Sequence, residues 1–298
     1  FIVDIVPSNI VNAMTDNSKM LQVIFFAILF GIAMVMLPDD KIKPVKNFID
    51  SLNHIVLKLI DIIMESAPYG VFALLAALIV DIAGDDPADT ISLFKALGVY
   101  GITVIIGLLM MIFVVYPIFL KIFTRVKYSR FARKVSPVQL LAFSTSSSAA
   151  TLPLTMETAE EKLGINNETS SFVLPLGATI NMDGTSLYQA VAAVFLAQVY
   201  GMDLGLSEQL TIILTATLAS IGSAAVPGAG MVMLIIVLTS VGIPTEGIAL
   251  IFAVDRPLDM LRTSVNVTGD LTITSIIAGS ENQIDLNIAN SEEILGNH

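Results

Sequence analysis

The 298-residue chain has no cysteine and only two histidines, His54 and His298, and 14% of its residues are charged. Without cysteine there is no disulfide and no thiolate metal site. Histidine is almost as scarce, so the serine-rich run at 144–148 has no evident general base, and a serine hydrolase is set aside. The chain is read as a non-enzyme. Basic residues are few as well: 15 against 26 acidic, a formal net charge of −11, which makes nucleic acid an unsuitable partner. What remains is oil. Hydrophobic residues make up 55% of the chain and mean hydropathy is +0.82, the range of integral membrane proteins. Its length allows about six to eight spanning or half-spanning helices of ~20 residues each. Phe1 falls inside an apolar pattern, so no signal peptide is read.

Against this background residues 255–270, DRPLDMLRTSVNVTGD, stand out. On a helix Asp259, Arg262, Thr263, Asn266 and Asp270 fall at i, i+3, i+4, i+7 and i+11 and share a face, while Leu258, Leu261, Val265 and Leu271 flank it. A charge at the bilayer centre costs roughly 2.5–3.5 kcal/mol even on the lenient insertion scale, so such charges mark a substrate or ion pathway. A salt-bridged packing face is the plainer alternative. The composition favours a ligand: a guanidinium grips a carboxylate with two parallel hydrogen bonds. Asp259 can take an ammonium and Asp270 a small cation. That set suits an acidic amino acid travelling with metal ions.

Along the chain, residues 1–14 read as the end of a membrane segment with a bend at Pro7, and Met20–Pro38 as a span. Residues 47–80 read as one long helix whose first half carries the stripe Asp50, His54, Lys58, Asp61 and Glu65. That stripe suits the membrane surface or a neighbouring subunit, and His54 is given no functional role. Asp81, Asp85, Asp86 and Asp89 form an acidic loop, and Ala96–Leu120 is the clearest span. Lys41, Lys43 and Lys46 in one loop, and Lys121, Arg125, Lys127, Arg130, Arg133 and Lys134 in another, set both loops in the cytoplasm.

From residue 136 the pattern changes. PVQLLAFSTSSSAATLPLT predicts a re-entrant hairpin at about 136–156, because non-helical backbone at membrane depth survives only where protein or a wet cavity satisfies it. Its tip offers amide N–H groups and serine hydroxyls to a carboxylate. A polar loop follows at 156–170. The apolar segment 170–200 is interrupted by NMDGT at 181–185, an unwound turn with Gly184 freeing the backbone and Asp183 adding charge. A second hairpin, 208–241, has its Gly/Pro tip between Gly222 and Gly230, and a second broken or polar span, 246–278, carries NVTG at 266. Hairpin plus N-x-x-G span, twice, is a weak inverted repeat. Residues 280–298 read as a loose, polar cytoplasmic tail.

SSSAATLP at 146–153, LPLGATINMDGT at 174–185, SAAVPGAG at 223–230 and the 255–270 stretch together resemble the glutamate transporter family, the dicarboxylate/amino acid:cation symporters. The chain looks like the C-terminal two-thirds or so of that family, whose earlier helices it lacks. The resemblance implies an all-α integral membrane protein with two re-entrant hairpins, an inverted-repeat elevator transporter that assembles as a homotrimer in the cell inner (plasma) membrane. Residues 1–82 would be scaffold and trimer contacts, and 90–279 the transport domain. Arg262 would bind the substrate side-chain carboxylate and Asp259 its amino group. Thr185, Thr263 and Asn266 would line the pocket, and the tips at Ser146, Ser147 and Ser148 and at Val226 to Gly230 would close over the α-carboxylate. One sodium would sit among the carbonyls of Gly177, Asn181 and Asn266 with the Asp270 carboxylate, a second on backbone oxygens of Thr179, Ser220, Ile221 and Ser223, and a third on Asp183 and Asn181 with residues of an earlier helix. Gln189, where proton-coupled members carry an acid, points to sodium as the coupling ion. No cofactor is implied. The leading function is sodium-coupled symport of aspartate or glutamate; the alternatives are a four-carbon dicarboxylate symporter and, more distantly, an anion-conducting channel.

Overall fold

A computed structural model describes residues 6–15, 19–83 and 87–292 of the chain. The acidic-loop residues 85 and 86, residues 1–5 of the opening segment and 293–298 of the tail lie outside the described residues, as do the side chains of His54, Asp61, Asp81 and Asp89. No strand is present among the described residues, apart from one isolated bridge between Ile165 and Ile284.

The chain divides into two units, Phe1–Thr90 and Ile91–His298. In the first, α1 (Ile10–Met14) starts where the Asn9 side chain accepts from the amides of Val11 and Asn12. Helix α2 (Met20–Val35) stops short of Pro38, which biases the residue before it away from the helical region. Helix α3 (Asp39–Ala83) runs 45 residues, about 67 Å at helical rise and more than a bilayer core is thick. Lys41, Lys43 and Lys46, expected in a loop, sit in its first turns instead. The described apolar side chains Phe48, Leu52, Ile55, Leu59, Ile62 and Phe72 are exposed along it.

The second unit is built around α12 (Ile248–Ser280), which packs on α5, α6, α7, α8 and α9. Every residue from Arg262 to Leu271 is buried, so this helix is enclosed all round. The expected break at NVTG does not occur: α12 is continuous. Asn266 spends its side chain on the facing helix instead, its Oδ1 accepting from the Gly184 amide at 2.8 Å and its Nδ2 donating to Thr185 Oγ1 at 3.1 Å.

Phe94–Phe123 is long and apolar enough to cross a membrane. It comprises the end of α4 (Pro87–Met110), a π turn at Met111–Val115 and α5 (Tyr116–Phe123). A proline clashes with the carbonyl four residues before it and donates nothing to it. The wider turn directly ahead of Pro117 absorbs that defect, and Tyr116 emerges 2% exposed.

Two helical hairpins follow. In the first, α6 (Tyr128–Thr145) turns at Ser146 into α7 (Ser148–Glu157). The hairpin is longer than its sequence suggested, because α6 passes through Pro137 and begins at Tyr128, carrying Arg130, Arg133 and Lys134 into a helix. Ser136 Oγ donates to the Arg133 carbonyl that Pro137 cannot serve. Beyond α7 a π turn at Thr158–Lys162 and a short link reach α8 (Asn167–Ile180), so much of the expected polar loop is helical. The chain then unwinds at Asn181 and Met182 and resumes as α9 (Asp183–Val199). In the second hairpin α10 (Leu206–Ile221) and α11 (Ala229–Ser240) meet at a tip closed by Gly228, whose φ of 76° favours glycine.

Residues 281–292, expected as part of a loose tail, are strapped down. The amide of Asn166 donates to Gln283 O and that of Asp285 to Gly164 O, ahead of a last short helix α13 (Leu286–Asn290). Lys134, 2% exposed, donates to the carbonyls of Lys162 and Ile288 and to Ser291 Oγ, and so joins α6, the 158–162 turn and the strap. A buried ammonium survives only when its donors are used in this way. Lys134→Met should cost about 2 kcal/mol by leaving those carbonyls unpaired. Hydrogen exchange at residues 283–291 should quicken; unchanged exchange would show that the strap holds without it.

Candidate functional site

The buried polar face of α12 opens onto a cavity lined by Ser146 and Ser148 of the first hairpin, Ser223, Val226 and Gly230 of the second, Met182 and Thr185 at the start of α9, and Asp259, Arg262, Thr263 and Asn266. All the residues expected around substrate are therefore brought together here except Ser147. That side chain caps α7, accepting from the Ala150 amide, and ties the two tips by donating to Ala225 O at 2.8 Å. The Ala149 amide donates to the same carbonyl at 3.3 Å. Ser146 holds φ 51°, a left-handed conformation uncommon outside glycine and frequent at functional turns.

Arg262 is 1% exposed. Its Nε donates to Asp259 Oδ1 at 2.8 Å and its Nη1 to Asp255 Oδ1 at 3.3 Å, and its guanidinium carbon stands 4.2 Å from the centre of the Tyr188 ring. Its Nη2 lies 2.8 Å from Asp259 Oδ1 but is poorly directed at it and lacks a hydrogen-bond partner. The buried Arg262 guanidinium faces two carboxylates, the exposed Arg256 guanidinium stands 4.0 Å from Asp259 Oδ2, and Asp259 is placed to take an ammonium. On the other side Asp259 Oδ2 accepts from the Gly228 amide at 2.9 Å, so the second tip is fastened to the same carboxylate. Gln189 Nε2 donates to Gly230 O at 2.8 Å and supports that tip from α9. Thr263 Oγ1 is turned back to the Asp259 carbonyl.

Two glycines allow this closeness. A β-carbon on Gly184 would come 2.7 Å from the Arg262 carbonyl oxygen, and one on Gly230 would come 2.9 Å from Thr185 Cγ2 and 3.2 Å from Arg262 Cζ. Gly184 is helical and its role is contact between helices, not the freed backbone expected of it.

A second polar cluster lies further along α12. Asn181 Nδ2 donates to Asp270 Oδ1 at 3.0 Å, Gly177 bares its backbone to that same oxygen, and Asp183 Oδ2 accepts from the Tyr116 hydroxyl at 3.0 Å. Among the described residues no ion pair reaches Asp183 or Asp270. Two carboxylates in the interior with neutral donors alone leave negative charge that no side-chain cation among the described residues offsets. Of the other residues expected to offer sodium their backbone oxygens, Asn266 and Ser223 also line the first cavity, while Thr179 lies in α8 and Ser220 in α10, their hydroxyls bonded within those helices to Leu176 O and Thr217 O. Ile221 ends α10, which touches α8.

A model of the sodium:dicarboxylate symporter family matches residues 1–280. The chain belongs to that family. Membership makes it a membrane protein, consistent with the apolar run Phe94–Phe123. Similar proteins include human excitatory amino acid transporter 2, 45% identical over 255 residues (86% of this chain and 43% of that protein). Mouse excitatory amino acid transporter 3 is 42% identical over 268 residues (90% and 50%). A Caenorhabditis elegans excitatory amino acid transporter is 41% identical over 263 residues (88% and 51%). The chain spans about half the length of the curated relatives it matches.

Three residues of this family member's site went unassigned in the sequence. Asp255 lies seven residues before Arg262, two helical turns, and its place on the charged face was readable. Tyr188 and Tyr116 come from other elements, and an aromatic in an apolar helix carries no signal that it will meet an arginine or an aspartate.

Proposed function

We propose that the protein carries an acidic amino acid, aspartate or glutamate, across the plasma membrane together with sodium. The observation that supports this most is a convergence of orphans. Ser146 Oγ, Ser223 Oγ and Arg262 Nη2 are all buried without a hydrogen-bond partner, and all belong to residues lining one cavity. Buried donors are rarely left unmade, and three around one space suit an anionic ligand.

In this reading Arg262 turns its fork from the aspartates to the ligand side-chain carboxylate, and Asp259 exchanges the Gly228 amide for the ligand ammonium. The freed amide and the two serine hydroxyls receive the α-carboxylate. The cavity holds about 10 Å³, room for about one water, so a tip must move for an amino acid to enter. The second hairpin, fastened through Gly228, is the mover. Asp270 with Asn181 and Gly177, and Asp183 with Asn181, would hold sodium; Thr179, Ser220, Ile221 and Ser223 would supply backbone oxygens to another. The hairpins would be re-entrant, with 90–279 moving as an elevator against a scaffold that includes residues 1–82, in a homotrimer.

The family description makes a four-carbon dicarboxylate the rival cargo. Asp255 and Asp259 beside a single buried arginine, with Arg256 exposed and 4.0 Å from Asp259, oppose it, since a dicarboxylate brings no ammonium to Asp259. Titrating the purified protein with aspartate, glutamate and succinate at several sodium concentrations separates the two. The amino acids should bind more tightly as sodium rises, with succinate at least tenfold weaker; equal succinate binding, or binding indifferent to sodium, would refute the assignment.

A further inference from the structure

Tyr116 has one proton and two acceptors. Its hydroxyl lies 3.0 Å from Asp183 Oδ2 and 3.2 Å from the carbonyl oxygen of Val265 on α12. The Pro117-associated π turn brings the ring inward, and a bare stretch of α12 receives it: a β-carbon on Gly269 would stand 2.8 Å from the Tyr116 oxygen, 2.9 Å from Asp183 Oδ2 and 3.1 Å from Asn181 Nδ2. Three polar atoms from three elements thus meet on one glycine. A tyrosine buried only for packing needs one acceptor for its hydroxyl. This one has a charged acceptor and a neutral acceptor within reach of a small rotation of the same O–H bond.

We propose that Tyr116 sets the sodium affinity of the Asp183 cluster by competing with the cation for the carboxylate. This rests on the sodium-coupled reading above. Without a cation the O–H bond points at Asp183, a charge-assisted hydrogen bond about twice as strong as one to a neutral acceptor. A cation on Asp183 repels that proton, and the O–H bond rotates to the Val265 carbonyl, so the hydroxyl is never orphaned. The difference between the two hydrogen bonds opposes sodium. Tyr116 therefore weakens binding and eases release, which a carrier needs as much as capture.

Tyr116→Phe keeps the ring and deletes the competitor. In sodium titrations of the purified protein, with choline keeping ionic strength constant, half-saturation should fall about tenfold. Melting temperature should drop further below wild type in sodium-free buffer than at saturating sodium, where only the weaker bond to Val265 is lost. In an Asp183→Asn background the Phe substitution should leave half-saturation unmoved, since the coupling is between those two side chains. Weaker sodium binding would make the hydroxyl a ligand and overturn the proposal. So would unchanged affinity, or a loss of stability that is the same at every sodium concentration, the signature of packing alone. A wild-type protein that does not respond to sodium at all would remove the parent reading and this inference with it; a responsive wild type with an unmoved variant sinks the inference alone.

Discussion

Arg262→Ala should abolish binding of aspartate and glutamate, by at least 100-fold. Among the described residues the guanidinium is the sole cation lining the cavity, and truncating one partner of a buried, hydrogen-bonded charge pair costs about 2–5 kcal/mol, with each 1.4 kcal/mol worth a factor of ten. Part of that loss is not the ligand's. Removing the arginine also leaves Asp255 and Asp259 buried with only the exposed Arg256, 4.0 Å from Asp259, as counter-charge, which destabilises the fold. A neutral amino acid separates the contributions: it needs Asp259 for its ammonium and has no side-chain carboxylate to lose, so serine or alanine should bind the variant at least as well as the parent. Arg262→Lys should resemble Arg262→Ala for acidic ligands, because an ammonium is a point charge without the planar fork and stacks poorly on Tyr188. Undiminished aspartate binding by either variant would show that the guanidinium is a packing element.

The second large effect is steric. Gly184→Ala puts a methyl group 2.7 Å from the Arg262 carbonyl oxygen and 3.1 Å from its Cα. Both are backbone and cannot swing aside, so α9 must back away from α12. Overpacking of this kind costs about 1–3 kcal/mol, and the retreat also stretches the hydrogen bond that the Gly184 N–H donates to Asn266 Oδ1 and carries Thr185 away from the cavity. Substrate affinity should fall more than tenfold and the melting temperature with it. Gly101→Ala is the matched comparison: its β-carbon meets nothing within 4 Å, and alanine is the better helix former by about 1 kcal/mol. Affinity should be unaffected there. If Gly184→Ala behaved like Gly101→Ala, the close approach of the two helices would not matter to the site.

Much of this site could be read because membrane-depth charge is so unusual. Asp259, Arg262, Asn266 and Asp270 declared themselves by spacing alone, and the two tips by small residues and proline inside apolar segments. What could not be read was how the same letters behave against different neighbours. N-x-x-G unwinds at Asn181 and stays helical at Asn266, whose side chain is taken by α9. Pro137 looked like a hairpin boundary, yet Ser136 repairs the missing bond and the helix continues. The polar composition after residue 280 suggested a free tail because the socket around Lys134 is assembled from segments more than a hundred residues apart. Tyr116 was hidden for the same reason: only tertiary packing sets an aromatic hydroxyl beside Asp183.

The carbonyl of Ala225 receives both bonds that join the hairpin tips, one from a serine hydroxyl and one from a backbone amide. A clasp with a single pin has no halfway position. Turning that one peptide unit releases both tip-to-tip links together, and the second hairpin is then held at its tip by the Gly228 bond to Asp259 and the Gln189 bond to Gly230.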